Sequence, residues 1–195
     1  MDEDSVTVEV ELSREVHERL SAHGPVADQL GVLAADEARL LEAVERYAGA
    51  EGTDGERRPA SGSLVENPPP IGVLLGFDAV EVERGRATVE MTAGPEHANP
   101  MGTLHGGVLC DLGDAAMGIA YASTLDEDES FTTLELDVKF LKPVWDGRLT
   151  ATAEVLKRGR TVGLVECEVT DGEGSAVARL QSVCLVLRGE RAAGR

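Results

Sequence analysis

The feature that most constrains the fold is one long apolar helix pattern in a stretch that otherwise predicts short strands. Over residues 106–124, apolar side chains recur at three- and four-residue intervals, at Val108, Leu109, Leu112, Ala115, Ala116, Ile119 and Ala120. Residues 71–76 suit a short helix. Runs bounded by turn residues predict strands at 77–83, 86–93, about 130–141, 147–157, 161–171 and 175–187. This order predicts an α+β domain, an antiparallel sheet covered by one helix.

Charge and turn residues divide the chain near residue 67, where Asn-Pro-Pro-Pro opens a new unit. The residues before this point are more acidic per residue than those after it. We predict an acidic N-terminal extension at 1–48, a flexible linker rich in Gly, Glu, Arg and Ser at 49–66, the main domain at 67–188 and a tail at 189–195.

The extension has its own pattern. Alternating apolar residues from Val6 to Leu12 predict a short strand, and residues 14–22 and 25–48 predict helices, the second as one or two amphipathic segments. A strand followed by two helices is similar to ribbon-helix-helix DNA-binding modules. Glu9 and Glu11 stand where such modules need basic or amide side chains, so a packing or dimerising appendage fits better.

The net charge of -18 argues against a nucleic-acid partner, because phosphate backbones bind basic patches. Lysine occurs at only three positions, so the surface suits either a high-salt cytoplasm or a plain acidic protein. Three widely spaced cysteines predict no disulfide framework and no zinc motif. The acidic N-terminus is no signal peptide and no run is long enough to cross a membrane, which predicts a cytoplasmic protein.

A second face of the central helix carries Gly107, Asp111, Asp114 and Gly118. Both aspartates belong either to a solvated face or to a site. The face lacks Lys and Arg, and buried unpaired carboxylates are costly, which favours a site. The helix also starts at His-Gly-Gly, which leaves backbone N–H groups free for an anion or for the oxyanion of an attacked carbonyl.

The spacing of these groups predicts the assembly. Gly106 and Asp114 are eight residues apart, which is about 12 Å along a helix at about 1.5 Å per residue. A carboxylate and an oxyanion donor that serve one carbonyl must lie within a few ångströms of one reacting atom. Two antiparallel copies of the helix satisfy this condition. We therefore predict a two-fold dimer with two composite sites.

The central helix is preceded by a motif that reads Glu96-His97-Ala98-Asn99-Pro100-Met101-Gly102-Thr103-Leu104-His105-Gly106-Gly107. Asp114 follows the last glycine of this motif by seven residues. The motif resembles the PaaI-like branch of the hotdog-fold acyl-CoA thioesterases, and residues 133–143 resemble the next strand of that family. The resemblance covers about residues 65–188. It implies a sheet wrapped around one central helix, hydrolysis of acyl-CoA without a further cofactor, and a homodimer or a dimer of dimers.

The resemblance also implies roles for five residues. Asp114 activates water or attacks the thioester, and the Gly106 N–H polarises the carbonyl from the partner subunit. Asn99 orients the carbonyl or the water, His105 lies near the thioester, and Thr133 holds the water beside the carboxylate. Each of the last three has a structural alternative: a turn for Asn99 and His105, and an outward-facing strand position, shared with acidic neighbours, for Thr133.

Further residues are candidates for substrate binding. Gly107 completes the helix start, and Lys157, Arg158 and Arg160 belong to the sizeable basic island at 139–160. That island either meets the CoA phosphates or pairs with the acidic surface. Asp111 either raises the pKa of Asp114 or faces solvent.

Two other functions stay open on the sequence. The domain could be an acyl-thioester hydratase or dehydratase, although the motif of that branch is not evident. It could also be a sensor that binds acyl-CoA without hydrolysing it. The sequence does not identify the acyl group.

Overall fold

The computed structural model of the chain describes residues 10–22, 24–49 and 68–192. Their contacts divide the chain into two units after Leu41, whereas the sequence placed a boundary near residue 67. Most of the predicted linker and residues 6–9 of the predicted strand lie outside the described residues, and residues 10–12 are not in a strand. Those domain limits therefore stay predictions.

The described residues before the main domain form two helices, α1 (Arg14–Ser21) and α2 (Val26–Gly49), and the boundary between the units falls within α2. Ser13 caps α1, because its Oγ accepts a hydrogen bond from the Val16 N–H at 3.3 Å. Both helices lie where the sequence predicts them, at 14–22 and 25–48. No helix in the described ranges is long and apolar enough to cross a membrane.

The second unit contains the predicted main domain, and its elements begin and end within two residues of the predicted limits. They are α3 (Pro70–Leu75), β1 (Phe77–Glu83), β2 (Arg86–Ala93), α4 (Gly106–Ala122), β3 (Glu129–Phe140), β4 (Gly147–Arg158), β5 (Val162–Asp171) and β6 (Ala176–Arg188). Short 3-10 turns follow at Pro95–His97 and Gly189–Arg191. The prediction of an α+β domain is confirmed.

The six strands form one antiparallel sheet in the order β1-β2-β4-β5-β6-β3. β1 and β3 are therefore its edge strands. β3 is 12 residues long and pairs with β6 along one side only. The long unpaired side of β3 offers a row of backbone N–H and C=O groups for pairing with another chain.

Helix α4 packs on this sheet through its apolar stripe. Leu112, Ala116 and Ala120 are fully buried, and each large apolar side chain buried in this way contributes roughly 1.5–3 kcal/mol. Gly113 allows the close approach of β6, because a Cβ there would lie 2.5 Å from a Leu180 methyl group.

Candidate active site

The start of α4 is built by His105. This residue is the N-cap, and its Nδ1 accepts a hydrogen bond from the Gly107 N–H at 2.9 Å. Among the described residues, the Gly106 N–H has no acceptor. It therefore stands free at the positive end of a 17-residue helix, as an oxyanion donor must. The side chain of His105 therefore shapes the helix start, as the structural alternative for this residue predicted. A place near a thioester stays a prediction for His105.

Asn99 organises the loop before α4. Its Nδ2 donates to Thr103 Oγ1 and its Oδ1 accepts from the Met101 N–H, both at 2.8 Å. Its backbone N–H donates to the Thr103 carbonyl at 2.7 Å. These hydrogen bonds form a turn, which is the structural role that the sequence analysis considered for Asn99. A direct role toward a substrate stays a prediction.

Asp114 lies half-buried in the middle of α4, and its Oδ1 accepts a hydrogen bond from Thr133 Oγ1 at 3.4 Å. Burial raises the pKa of Asp114 above its ordinary value, although the Thr133 hydroxyl opposes this. The negative charge of Asp111 raises the pKa further, and Asp111 itself is exposed. Both roles considered for Asp111 therefore hold. A carboxyl with a raised pKa is a better proton acceptor once it is ionised.

A β-bulge brings Thr133 to Asp114. In the register of β3 with β6, Thr133 pairs with Cys184 and Glu135 pairs with Val183, so Leu134 is the extra residue. Simple alternation would put Thr133 on the same face as the acidic residues that follow it. The bulge separates them, and Thr133 faces the helix instead. The side chain of Thr133 nevertheless remains exposed, so its role in holding a water molecule stays a prediction.

Cys184 is a neighbour of the site that the sequence did not reveal. It is buried, and burial raises the pKa of its thiol, to which the charge of Asp114 adds. The pairing of β3 with β6 joins residues about 50 apart in the chain, at Thr133 and Cys184. No local pattern could have indicated that contact.

The predicted phosphate contacts of the basic residues at 139–160 differ in how well they fit the structure. Arg158 bonds to the Glu129 carboxylate, and its guanidinium lies 5.6 Å from the centre of the Tyr121 ring. This placement opposes the predicted phosphate contact of Arg158, because its side chain is half-buried and already has a carboxylate partner within the protein. Lys157 and Arg160 are exposed, and their phosphate contacts stay predictions. Arg188, which the sequence did not single out, donates to the Arg160 carbonyl and so joins this surface.

An open groove of about 450 Å³ lies at the start of α4. Its walls are largely apolar, with Gly106 at one side and a single cation, and they comprise Leu104, Gly106, Leu109, Phe140, Leu141, Lys142, Pro143 and Val144. The free Gly106 amide therefore adjoins space for an apolar ligand group.

Within one chain, Gly106 and Asp114 are separated by two turns of the same helix, about 12 Å. The structure thus keeps the two candidate catalytic groups apart in a single copy. It brings Asp114 and Thr133 together on one side, and Asn99, His105, Gly106 and Gly107 together on the other.

Comparisons with known proteins address the family of this chain. The family described as the thioesterase superfamily matches residues 101–178. The 1,4-dihydroxy-2-naphthoyl-CoA hydrolase of Listeria monocytogenes is 34% identical over 97 residues, which are 50% of this chain and 79% of that protein. The acyl-coenzyme A thioesterase PaaI of Escherichia coli is 31% identical over 105 residues, 53% of this chain and 73% of that protein.

Solved structures give the same result for the fold. The structure of the PaaI protein of E. coli, from its phenylacetic acid degradation operon, superposes with a TM-score of 0.61 at 27% identity and covers 67% of this chain and 92% of its own. The conserved protein PA5202 of Pseudomonas aeruginosa superposes with a TM-score of 0.60 at 32% identity, over 66% and 100% of the two chains. The sheet around one long helix is therefore the hotdog fold, and this chain belongs to the thioesterase superfamily as a PaaI-like thioesterase.

Proposed function

We propose that the protein hydrolyses an acyl-CoA thioester to a free acid and CoA in composite sites of a homodimer. The observation that carries the proposal is the pairing of features on α4: an unbonded Gly106 amide at its start, and a half-buried Asp114 held by Thr133 in its middle. The names of the Listeria and E. coli relatives, a CoA-thioester hydrolase and an acyl-CoA thioesterase, support the substrate class.

The chemistry follows from the properties of a thioester. The Asp114 carboxylate takes a proton from water, and the water oxygen attacks the carbonyl carbon. The negative charge that develops on the carbonyl oxygen is stabilised by the Gly106 N–H of the partner subunit. The tetrahedral intermediate then expels the CoA thiolate, which takes up a proton. Direct attack by the carboxylate, through a mixed anhydride that water cleaves, uses the same groups.

The dimer is supported by the free side of β3. That strand is long, and it exposes Leu134, Phe140 and the following Leu141, each by more than half of its surface. Unpaired backbone groups beside exposed apolar side chains are the features of a strand that pairs with another copy. Thr133 is on the same strand, so pairing through β3 places the Asp114 side of each copy near the dimer interface.

The surface near Lys157 and Arg160 is our candidate for the CoA phosphates. Both side chains are exposed. Arg188, which shares the Glu129 carboxylate with Arg158, adds positive charge beside Arg160, because one carboxylate offsets only one of these two arginines. In a chain with a net charge of -18, such a surface is a local exception that attracts an anion. Arg158 is omitted from this surface because its side chain is half-buried, bonded to Glu129 and placed over the Tyr121 ring.

The test replaces Asp114 by asparagine, which keeps the shape and the Thr133 hydrogen bond but cannot accept the proton. We expect the Asp114→Asn variant to lose turnover by a factor of at least about 100, measured as thiol release from acetyl-, hexanoyl- and benzoyl-CoA, with binding retained. In the wild type, kcat should fall on acidification through the raised pKa of Asp114, since protonation removes the base.

Asp111→Asn is the matched control, because it removes a neighbouring exposed carboxylate from the same helix face. It should keep most of the activity and shift the acid limb of the pH profile slightly downward, since the charge of Asp111 raises the pKa of Asp114. Full activity in Asp114→Asn would refute the assignment. Acyl-CoA binding without thiol release by the wild type would instead indicate a sensor.

A further inference from the structure

His97 has no role in the chemistry above, yet its buried side chain connects three segments of the chain. Only 8% of the side chain is exposed. Its Nδ1 accepts a hydrogen bond from the Gly94 N–H at 3.0 Å, and its Nε2 lies 3.1 Å from the Leu75 carbonyl oxygen. Its backbone carbonyl accepts from the His105 N–H at 2.9 Å. The end of α3, the exit of β2 and the N-cap of α4 therefore meet at this residue.

The two ring contacts define the state of the imidazole. A carbonyl oxygen can only accept, so Nε2 carries the proton and donates to Leu75. A backbone N–H can only donate, so Nδ1 carries none. The imidazole is therefore neutral in this arrangement, and the exposed carboxylate of Glu96, 3.5 Å from Nδ1, forms no ion pair with it.

These bonds bear directly on the candidate oxyanion donor. The direction of the Gly106 N–H follows from the backbone of His105, whose own N–H is held by His97. Asn99 follows His97 by two residues and starts the turn that leads to the helix. A shift of about 1 Å in a positioning group can lower a rate by about 100-fold, so the anchoring of this segment matters for catalysis.

We infer that His97 is a positioning residue of the thioesterase, which fixes the helix start and its Gly106 amide by tying the preceding loop to Leu75 and Gly94. The inference rests on the proposed function only for its kinetic readout. Asparagine and glutamine can each replace one of the two hydrogen bonds that the imidazole ring makes. An asparagine oxygen can take the place of Nδ1 toward Gly94, and a glutamine amide nitrogen can take the place of Nε2 toward Leu75.

The experiment compares His97→Ala, His97→Asn and His97→Gln, with the exposed Glu96→Ala as the matched neighbour. We expect kcat for hexanoyl-CoA to fall on the order of 10- to 100-fold in the alanine variant, with KM changed less than about threefold. The asparagine or the glutamine variant should recover part of that loss, and Glu96→Ala should keep wild-type kcat. Circular dichroism and size exclusion establish the folded fraction to which each kcat is normalised.

A merely structural role would lower stability and leave kcat of the folded protein unchanged. Wild-type kcat in folded His97→Ala would overturn the inference. If that variant fails to fold, wild-type kcat in both amide variants would overturn it equally. Hydrogen exchange gives a readout that needs no substrate: the His105 amide should exchange faster in the variants, and an unchanged rate would count against the inference. Absence of thiol release by the wild type would refute the proposed function alone.

Discussion

Gly106 contributes to the site through its backbone, and the absence of a side chain is part of that contribution. It is the first residue of α4, its N–H has no acceptor in the described part of the chain, and it borders the apolar groove. A Cβ at this position would lie 2.9 Å from the Phe140 ring, which is itself more than half exposed and can move. A small substitution at Gly106 is therefore tolerable, and its chemical effect can be measured.

Proline at position 106 removes the proposed donor with little change in the helix. Proline suits the first helical position, and the extended backbone of His105 (φ -65°, ψ 131°) suits a residue that precedes proline. We expect Gly106→Pro to lower kcat about 100- to 1,000-fold, as the loss of one oxyanion donor does. Thiol release at saturating hexanoyl-CoA measures the effect.

Gly106→Ala is the control for the proline variant. It adds the same Cβ against Phe140 and keeps the N–H, so its kcat should stay well above that of Gly106→Pro. Equal losses in the two variants would show that the steric contact, and not the missing proton, causes the effect. Near-wild-type activity in the proline variant would remove the amide from the mechanism.

For single residues, the sequence predicted the placement of site groups where those residues are consecutive in a motif. His105, Gly106 and Gly107 are consecutive, and the structure gathers them at the helix start as expected. The side chain of Asn99 turned out to organise its own loop. What a side chain bonds to depends on rotamers and on loop geometry, which a motif does not specify.

Among the secondary-structure elements, three strands are joined by the ion pairs of Glu129 with Arg158 and Arg188, which we call the Glu129 clasp. The Glu129 side chain, 5% exposed, begins β3 and bonds to Arg158 at the end of β4 and to Arg188 at the end of β6. Burial alone would raise the pKa of Glu129, but the Asp126 N–H and the two arginines outweigh it, so the pKa is lowered from 4.5. The ionised form is therefore the one that stabilises these strand ends.

Replacing Glu129 by glutamine should lower the free energy of unfolding by about 1–3 kcal/mol at neutral pH, because half-buried Arg158 and exposed Arg188 lose their counter-charge. A group with a lowered folded pKa stabilises fully above its unfolded pKa. The difference between wild type and variant should therefore be complete above about pH 4.5 and shrink as the pH falls below it. Urea unfolding at several pH values measures it.

Glu127→Gln is the control for the Glu129→Gln variant, since it removes an exposed carboxylate from the turn just before β3. Its stability should differ from that of the wild type by less than about 0.5 kcal/mol. A loss that is the same in both variants, or independent of pH, would mean that the Glu129 ion pairs contribute no net stability.

The strands were predictable because their turns are local, as at Arg84-Gly85, where Gly85 has a φ of 81°. Their pairing was not, since β3 joins β6 across two intervening strands. The bulge at Leu134 is a property of that pairing. It decides which face Thr133 occupies, so the contact between Thr133 and Asp114 could come from the sequence only through the family resemblance.

For the whole molecule, charge and assembly act against each other. Two copies that each carry a net charge of -18 repel one another when they associate. The Debye length falls from about 10 Å at 0.1 M salt to about 3 Å at 1 M, so salt weakens this repulsion. The proposed pairing through β3 would bury exposed apolar groups, whose association salt does not weaken. Tests of the dimer therefore belong at high salt.

The composite site makes a prediction that no single-chain site can share. Co-expressing Asp114→Asn with Gly106→Pro under two affinity tags, and purifying the heterodimer in 1 M KCl, yields one site with both defects and one with neither. The heterodimer should therefore recover about half of wild-type kcat, although each homodimer is nearly inactive. If Gly106 and Asp114 of the same chain served one thioester, every site in the heterodimer would carry one defect, and mixing would restore nothing.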